Sequence, residues 1–196
     1  GWGSLTVGIV LGCGLLVIAS PSIARQAFPG AQGWGGRTVG GRGGTVVHVT
    51  NLAASGTGSL QWAVSQPGAR TVVFDTCGVI EGDVTIPHGR LTIAGESSPG
   101  GGITIAGKLW TAYRAGIDDI VVRFVRVRPR TLSGNQGDAI QFSLSRRVVF
   151  DHVSVSWGSD ETVDLYEADS VTVQWSIVGP SATNAGHPDG AFHNYG

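Results

Sequence analysis

The strongest constraint on this chain is a recurrence. Short runs rich in Val, Ile and Thr occupy residues 71–74, 91–95, 103–107, 120–127, 148–157 and 171–178, each bounded by turn residues. Two are near-copies, Leu91-Thr92-Ile93-Ala94-Gly95 and Ile103-Thr104-Ile105-Ala106-Gly107. The major runs recur roughly every 20–30 residues, a period at which each unit buries its apolar face only by stacking on its neighbours. Few long helical patterns intervene, which argues against a helix-wrapped parallel sheet. An antiparallel sandwich also yields many short strands. It accounts neither for the near-repeats nor for the wide, variable loops at 96–102 and 131–137. The expected fold is therefore all-β, a parallel β-helix. Parity within the runs places Val121, Val125, Val127, Val149, Val153, Val155, Val171 and Val173 in its interior.

Composition narrows the class further. Glycine is abundant, 32 residues, without the triplet period of collagen, and 41% apolar content is too high for a disordered chain. The net charge of −1 supplies no basic field for nucleic acid. Lys108 is the only lysine. There is no methionine, not even at position 1, so the sequence reads as truncated at its start. Residues 5–19 form an apolar run that is short for a membrane span. Ser22-Ile23-Ala24 follows it as a small-x-small cleavage site, so residues 1–24 read as a secretory signal peptide that has lost its basic region. The alternatives are a membrane anchor, or a lipoprotein processed at Cys13, against which the continuing apolar run argues. Residues 25–196 then form a partial, secreted β-helix domain. Cleavage leaves Cys77 alone, with no disulfide framework, and Cys77 is expected to be a small buried hydrophobe.

The glycine-rich stretch Gly40-Gly41-Arg42-Gly43-Gly44 lacks the Gly-Lys-Ser/Thr ending of a phosphate loop, and no helix pattern follows it directly. Residues 45–50 alternate like a strand. Residues 58–64 read as a short helix capped by Ser59, with Leu60, Ala63 and Val64 as its apolar side. A solenoid needs its ends covered, and this helix is placed to cover the first one. The sequence stops at Gly196 in a loop-like stretch with no candidate for the second, a further sign of truncation.

Residues 160–164 read Asp-Glu-Thr-Val-Asp. On an extended strand Asp160, Thr162 and Asp164 share one face, and Val163 and Leu165 the other. Two outward carboxylates about 13 Å apart at full extension, and closer if the chain bends, suit a hard cation with oxygen ligands, calcium above all. A solvated acidic edge is the bland alternative. Asp138 sits at the mouth of the Ile140/Phe142 strand, where an adjacent rung would bring it beside Asp160 and Asp164. Arg126, Arg128 and Arg130 alternate with core valines and make an outward row. That row suits either a polyanionic substrate or a surface ladder with aspartates of neighbouring rungs. Asp151-His152 with Ser154 and Ser156 superficially suggests a hydrolytic triad. Adjacent strand residues point to opposite faces, so Asp151 is not expected to orient His152. His187, Asp189 and His193 match no strong zinc spacing.

In this order, these elements resemble the pectate lyases of polysaccharide lyase family 1. The resemblance runs through Ala27-Phe28-Pro29-Gly30-Ala31, Gly40 to Gly44, Val49-Thr50-Asn51-Leu52 and the strand-like runs. It continues through Val122 to Pro129, Asp138-Ala139-Ile140, Asp151 to Trp157, Ser159-Asp160-Glu161 and Val171 to Trp175, covering roughly residues 27–178. It implies a right-handed parallel β-helix secreted to act on pectic polysaccharide, cleaving polygalacturonate by β-elimination with calcium. By position Asp138, Asp160 and Asp164 match the family's metal-ligating carboxylates, with Glu161 a lesser candidate. Arg126 and Arg128 are the substrate-contact candidates, and a monomer is expected. The family's catalytic arginine lies downstream of the last ligand pair, and this sequence ends first. No residue here is assigned that role, and the fragment alone is expected to be inactive. Many relatives carry a substrate-contacting lysine near the position of His187-Pro188, where this chain has Asp189.

Other functions stay open at this point. A pectin lyase needs no calcium, and the three aspartates argue against it. A β-helix glycoside hydrolase would need a carboxylate pair across a scissile bond, for which Asp160 and Asp164 are available. A non-catalytic carbohydrate-binding β-helix would keep the solenoid without the acid cluster.

Overall fold

The computed structural model describes residues 25–130 and 137–182. Residues 1–24, with the expected signal peptide, and the His187, Asp189 and His193 group lie outside the described residues. No described helix is long and apolar enough to cross a membrane.

Among the described residues, fifteen short strands form three parallel sheets around one core. Sheet A stacks β1 (Thr45–Val49), β2 (Arg70–Phe74), β5 (Leu91–Ala94), β8 (Ile120–Arg123), β11 (Arg146–Asp151) and β14 (Asp169–Gln174) in that order. Sheet B stacks β3 (Gly78–Glu81), β6 (Ile103–Ala106), β9 (Val125–Val127), β12 (Ser154–Val155) and β15 (Ile177–Val178). Sheet C stacks β4 (Val84–Ile86), β7 (Leu109–Thr111), β10 (Ile140–Gln141) and β13 (Val163–Asp164). β1 joins sheet A alone, and from β2 onward the chain passes through the sheets in the order A, B, C, so the expected parallel β-helix is the fold.

Register explains why the repeats look alike. Arg70, Leu91, Ile120, Val148 and Val171 are successive Cα partners up sheet A. Ile80, Ile105, Val127, Val155 and Val178 are the equivalent column of sheet B, and Val84, Leu109, Ile140 and Val163 that of sheet C. Nearly all of these residues face the interior and are buried. Full burial of one such side chain is worth about 2 kcal/mol, so the stacked columns dominate the fold's stability.

The interior assignments need two corrections. Val121 and Val149 are buried, but on the outer face of sheet A; Ile120, Val122, Val148 and Phe150 are the inward residues. The parity shifts at the corner between sheets A and B, where Phe124, His152 and Trp175 adopt φ of 52°, 54° and 50°. A left-handed residue at each corner breaks the strand alternation, so Val125, Val127, Val153 and Val155 face inward as expected. Val171 and Val173 also face inward and are half-buried, on the last described rung. Cys77 is exposed, not buried: it lies in the turn between β2 and β3, outside the stacked columns.

The helix α1 (Leu60–Val64) covers the first turn. Ser59 Oγ accepts the Trp62 N–H at 3.1 Å, and Leu60, Ala63 and Val64 are buried. The Gln61 side chain acts as a substitute strand for the free edge of sheet C. Its amide donates to Thr85 O at 2.9 Å and its carbonyl accepts Thr85 N–H at 2.8 Å, which satisfies an edge that otherwise invites pairing. Arg70, fully buried, donates to the carbonyls of Val64, Gly68, His88 and Gly89. Burial lowers its pKa to about 10.

The glycine-rich lead-in is a strap, not a phosphate loop. It crosses the outer face of sheet A from the last rung to the first. Gln32 N–H donates to Gln174 Oε1 at 2.8 Å and Gly35 N–H to Thr172 Oγ1 at 3.1 Å. Gly41 N–H donates to Thr92 Oγ1 at 2.9 Å, and Thr45 N–H to Ala69 O at 3.0 Å. A Cβ at Gly35, Gly41 or Gly44 would collide with the backbone oxygen of Val148, Arg70 or Ala69. The glycines are there so that backbone can lie on backbone, and Val121 and Val149 are buried beneath them.

Candidate metal and substrate site

The turn from sheet B to sheet C carries Asp138 on one rung and Asp160 and Glu161 on the next. Oxygens of Asp138, Asp160 and Glu161 lie within 4.8 Å of one another. Two rungs are tied together here: Glu161 N–H donates to Asp138 Oδ1 at 3.0 Å, and Ser159 N–H donates to Gly137 O at 2.9 Å. Val163 and Leu165 face the core as the alternation predicts, but Thr162 and Asp164 are buried as well rather than exposed on an outer face.

Asp164 lies beside this set rather than within the 4.8 Å group. It is nearly buried, and its Oδ2 accepts from Gln141 Nε2 at 3.2 Å. Its Oδ1 is buried with no partner among the described residues. Glu161, the lesser candidate from sequence, is the third carboxylate of the close group. The alternation rule misses it because the turn bends before β13 begins; its adjacency to Asp160 was the available signal.

Crowding has an electrostatic cost. Burial, the hydrogen-bonded contact with Glu161 and the nearby charges of Asp164 and Glu161 push Asp138 up to about 7. A buried acceptor without a donor and a carboxyl that resists ionising are what an oxygen cage for a hard cation looks like before charge compensation. The donors are all carboxylate oxygens, the hard anionic kind that suits a cation such as calcium.

The arginine row is more occupied than either reading of it predicts. Arg126 Nε donates to Thr104 Oγ1 at 2.8 Å and its Nη2 to Gly101 O at 2.6 Å. Arg128 donates to Val127 O and to both Ser154 O and Ser154 Oγ, and its guanidinium lies 5.6 Å from the Trp157 ring centroid. Burial first, then the charge of Arg126, lowers the Arg128 pKa. Arg130 alone pairs with a carboxylate, Glu81, at 2.5 Å. The ladder exists, but its rungs are hydroxyls and carbonyls rather than aspartates.

Asp151 does contact His152, contrary to the parity argument: its Oδ2 is 3.0 Å from His152 Nδ1. The left-handed corner at His152 turns the ring back toward its neighbour. Asp151 also accepts from Arg123 Nε at 2.9 Å and Gln174 Nε2 at 2.8 Å. Burial opposes its ionisation, but these donors hold it below the usual carboxylate range. His152 stacks on Phe124 with centroids 4.4 Å apart. Among the described residues no serine hydroxyl bonds to the pair, and Asp151 instead ties Arg123, His152 and Gln174 together at the corner.

Comparison with known proteins matches this architecture. The chain is 46% identical over 157 residues to a "Probable pectate lyase C" of Aspergillus oryzae, covering 79% of this chain and 37% of that protein. It is 47% identical over 157 residues to the protein of that name in Aspergillus fumigatus, covering 79% of this chain and 37% of that one. The Emericella nidulans protein of that name is 46% identical over 166 residues, 84% of this chain and 39% of the relative. The chain thus spans about two fifths of the length of the curated relatives it matches. Among solved structures, jun a 1, the major allergen from cedar pollen, superposes with a TM-score of 0.59 at 19% identity. That match covers 72% of this chain and 46% of the allergen, and it shows the fold alone. No protein-family model matches the chain.

Proposed function

We propose, from the premise that this chain is homologous to pectate lyases over about four fifths of its length, that it is part of a secreted, calcium-dependent pectate lyase acting on polygalacturonate. The observation that carries the reading is the convergence of Asp138, Asp160 and Glu161 within 4.8 Å, with Asp164 beside them. Calcium is the fitting cation because the donors are hard, anionic and flexible in number.

Asp138, Asp160 and Asp164 would hold the ion, with Glu161 close enough to join them. When bound, the cation neutralises a uronate carboxylate and acidifies the adjacent C5 proton. The chain's own part is to supply the carboxylates on a rigid rung-to-rung scaffold and to give up the Asp138 proton as the ion arrives. Arg126 and Arg128 use only some of their N–H groups internally, which leaves others for the polyanionic chain. None of the described residues is assigned as the base that removes the C5 proton.

The test is product chemistry. The full-length protein should release unsaturated oligogalacturonides from polygalacturonate at alkaline pH with added calcium. Chelation should abolish this, and calcium should restore it. Saturated products would sink the lyase reading in favour of a hydrolase, and chelator-insensitive elimination would sink the calcium site.

A further inference from the structure

Lys108 sits on the turn between β6 and β7, one rung toward the N-terminus from Asp138 and two from Asp160. Its backbone is pinned on both sides: its N–H donates to Asp83 Oδ1 at 2.8 Å, and its carbonyl accepts from Val84 N–H at 2.8 Å. The side chain is half-buried and reaches toward the next rung. A Cβ on Gly137 would collide with the end of this side chain. Gly137 immediately precedes Asp138, and its carbonyl accepts the backbone N–H of Ser159 and of Asp160. The ammonium therefore lies at the threshold of the carboxylate group. Trp110, two residues on and outward on the same strand face, has its ring centroid 5.9 Å from Nζ. The Trp110 Nε1 donor is buried with no partner among the described residues.

What the ammonium lacks is a carboxylate. Among the described residues no Asp or Glu oxygen comes within ion-pair distance of Lys108 Nζ, although four carboxylates occupy the next two rungs. A cation held beside an acidic group but paired with none of it is arranged for an anion that arrives from outside. A linear polyuronate offers a carboxylate on every sugar. With one of them at the carboxylate group, its neighbour along the solenoid axis passes the next rung, about 4.8 Å away. Resting on the pectate-lyase reading above, we propose that Lys108 is a specificity-determining substrate contact that pairs with the free carboxylate of the neighbouring uronate. It thereby selects unesterified over methylated pectic chains, with Gly137 kept bare to leave it room.

The competing role is internal: Lys108 as a counter-ion that merely offsets the acidic group. The two roles separate in the full-length protein carrying K108Q, with K108M as a second neutral variant should the first fail to fold. A substrate contact predicts that the KM for polygalacturonate rises about tenfold while kcat stays within about twofold. The preference for unesterified over highly methylated substrate should fall in step at saturating calcium, and K108R should restore most of the preference. Unchanged KM and unchanged preference at saturating calcium, the mark of a counter-ion alone, would overturn the proposal. If the wild-type protein fails to bind polygalacturonate at all with calcium present, the pectate-lyase reading falls and takes this proposal with it. Binding by the wild type that K108Q leaves intact removes Lys108 alone.

Discussion

The outer faces of sheets A and C are built on the same rungs and treat charge in opposite ways. On sheet A the carboxylates at the ends of β8 and β11 and in the turn after β5 are matched by arginines. Asp119 accepts from Arg147 Nε at 2.9 Å and Nη2 at 2.8 Å, and from Thr38 of the strap. Asp151 and Glu96 share Arg123. The strap then lies over Val121 and Val149, while Val46 on the first strand stays exposed. On sheet C and the turn before it, carboxylates crowd one another and one buried oxygen has no partner. A solenoid repeats its backbone, so the two faces differ in their side chains alone: one is stitched by arginines and the strap, and the other brings carboxylates close to one another.

The largest expected effect tests the stitched face. Gly35→Val would drive a side chain into the backbone of β11 and β14, because Val148 O, Thr172 N and Ser170 O all lie within reach of a Cβ there. The expected loss is about 4 kcal/mol or more in denaturant unfolding. A near-neutral result would show that the strap is dispensable and erase the contrast. On the carboxylate face, Asp138→Asn should weaken calcium binding about a hundredfold by titration calorimetry, with no loss of metal-free stability. An unchanged calcium affinity would move the ion elsewhere. Asp119→Ala is a smaller cut into the stitched face, expected to cost about 2 kcal/mol because Arg147 and Thr38 lose their acceptor. A change below about 0.5 kcal/mol would mean that the strap's polar stitching is solvent-exchangeable.

The two faces should also respond to pH with opposite sign. Asp119 is held low: burial opposes ionisation, but Arg147, the Val39 N–H and Thr38 outweigh it. Its contribution to stability is present above the unfolded carboxylate pKa and is lost as pH falls through the lowered folded value. Asp138 is raised from 3.8 to about 7. Between those values the unfolded chain ionises while the folded one keeps its proton, so metal-free stability should fall as pH rises toward about 7 and level off beyond it. Calcium affinity should rise about tenfold per pH unit below that value, because binding expels one proton, and plateau above it. Melting curves at pH 5 and pH 8, with and without calcium, check both signs. A metal-free protein most stable at pH 8 would contradict the Asp138 assignment, and the contrast between faces with it.

Much of this was legible in the order of residues. The recurrence of Val/Ile/Thr runs fixed a stack of short parallel strands because no other arrangement buries so many small apolar faces at that spacing. Ser59 announced the covering helix, and the alternation in Asp160-Glu161-Thr162-Val163-Asp164 put Val163 and Leu165 inward. What one strand's alternation could not supply was anything set by a corner or by a neighbour. The left-handed residues Phe124, His152 and Trp175 reset the parity between sheets, which turned Val121 and Val149 outward and His152 toward Asp151. The glycines at 35, 41 and 44 became intelligible only once the backbone beneath them was in place. Glu161 in place of Asp164 within the close carboxylate group, and Lys108 reaching Gly137 one rung away, are likewise products of stacking. Local periodicity reports what a residue does within its own strand. In a solenoid the chemistry arises between rungs, from residues more than twenty positions apart, and only the folded register brings them together.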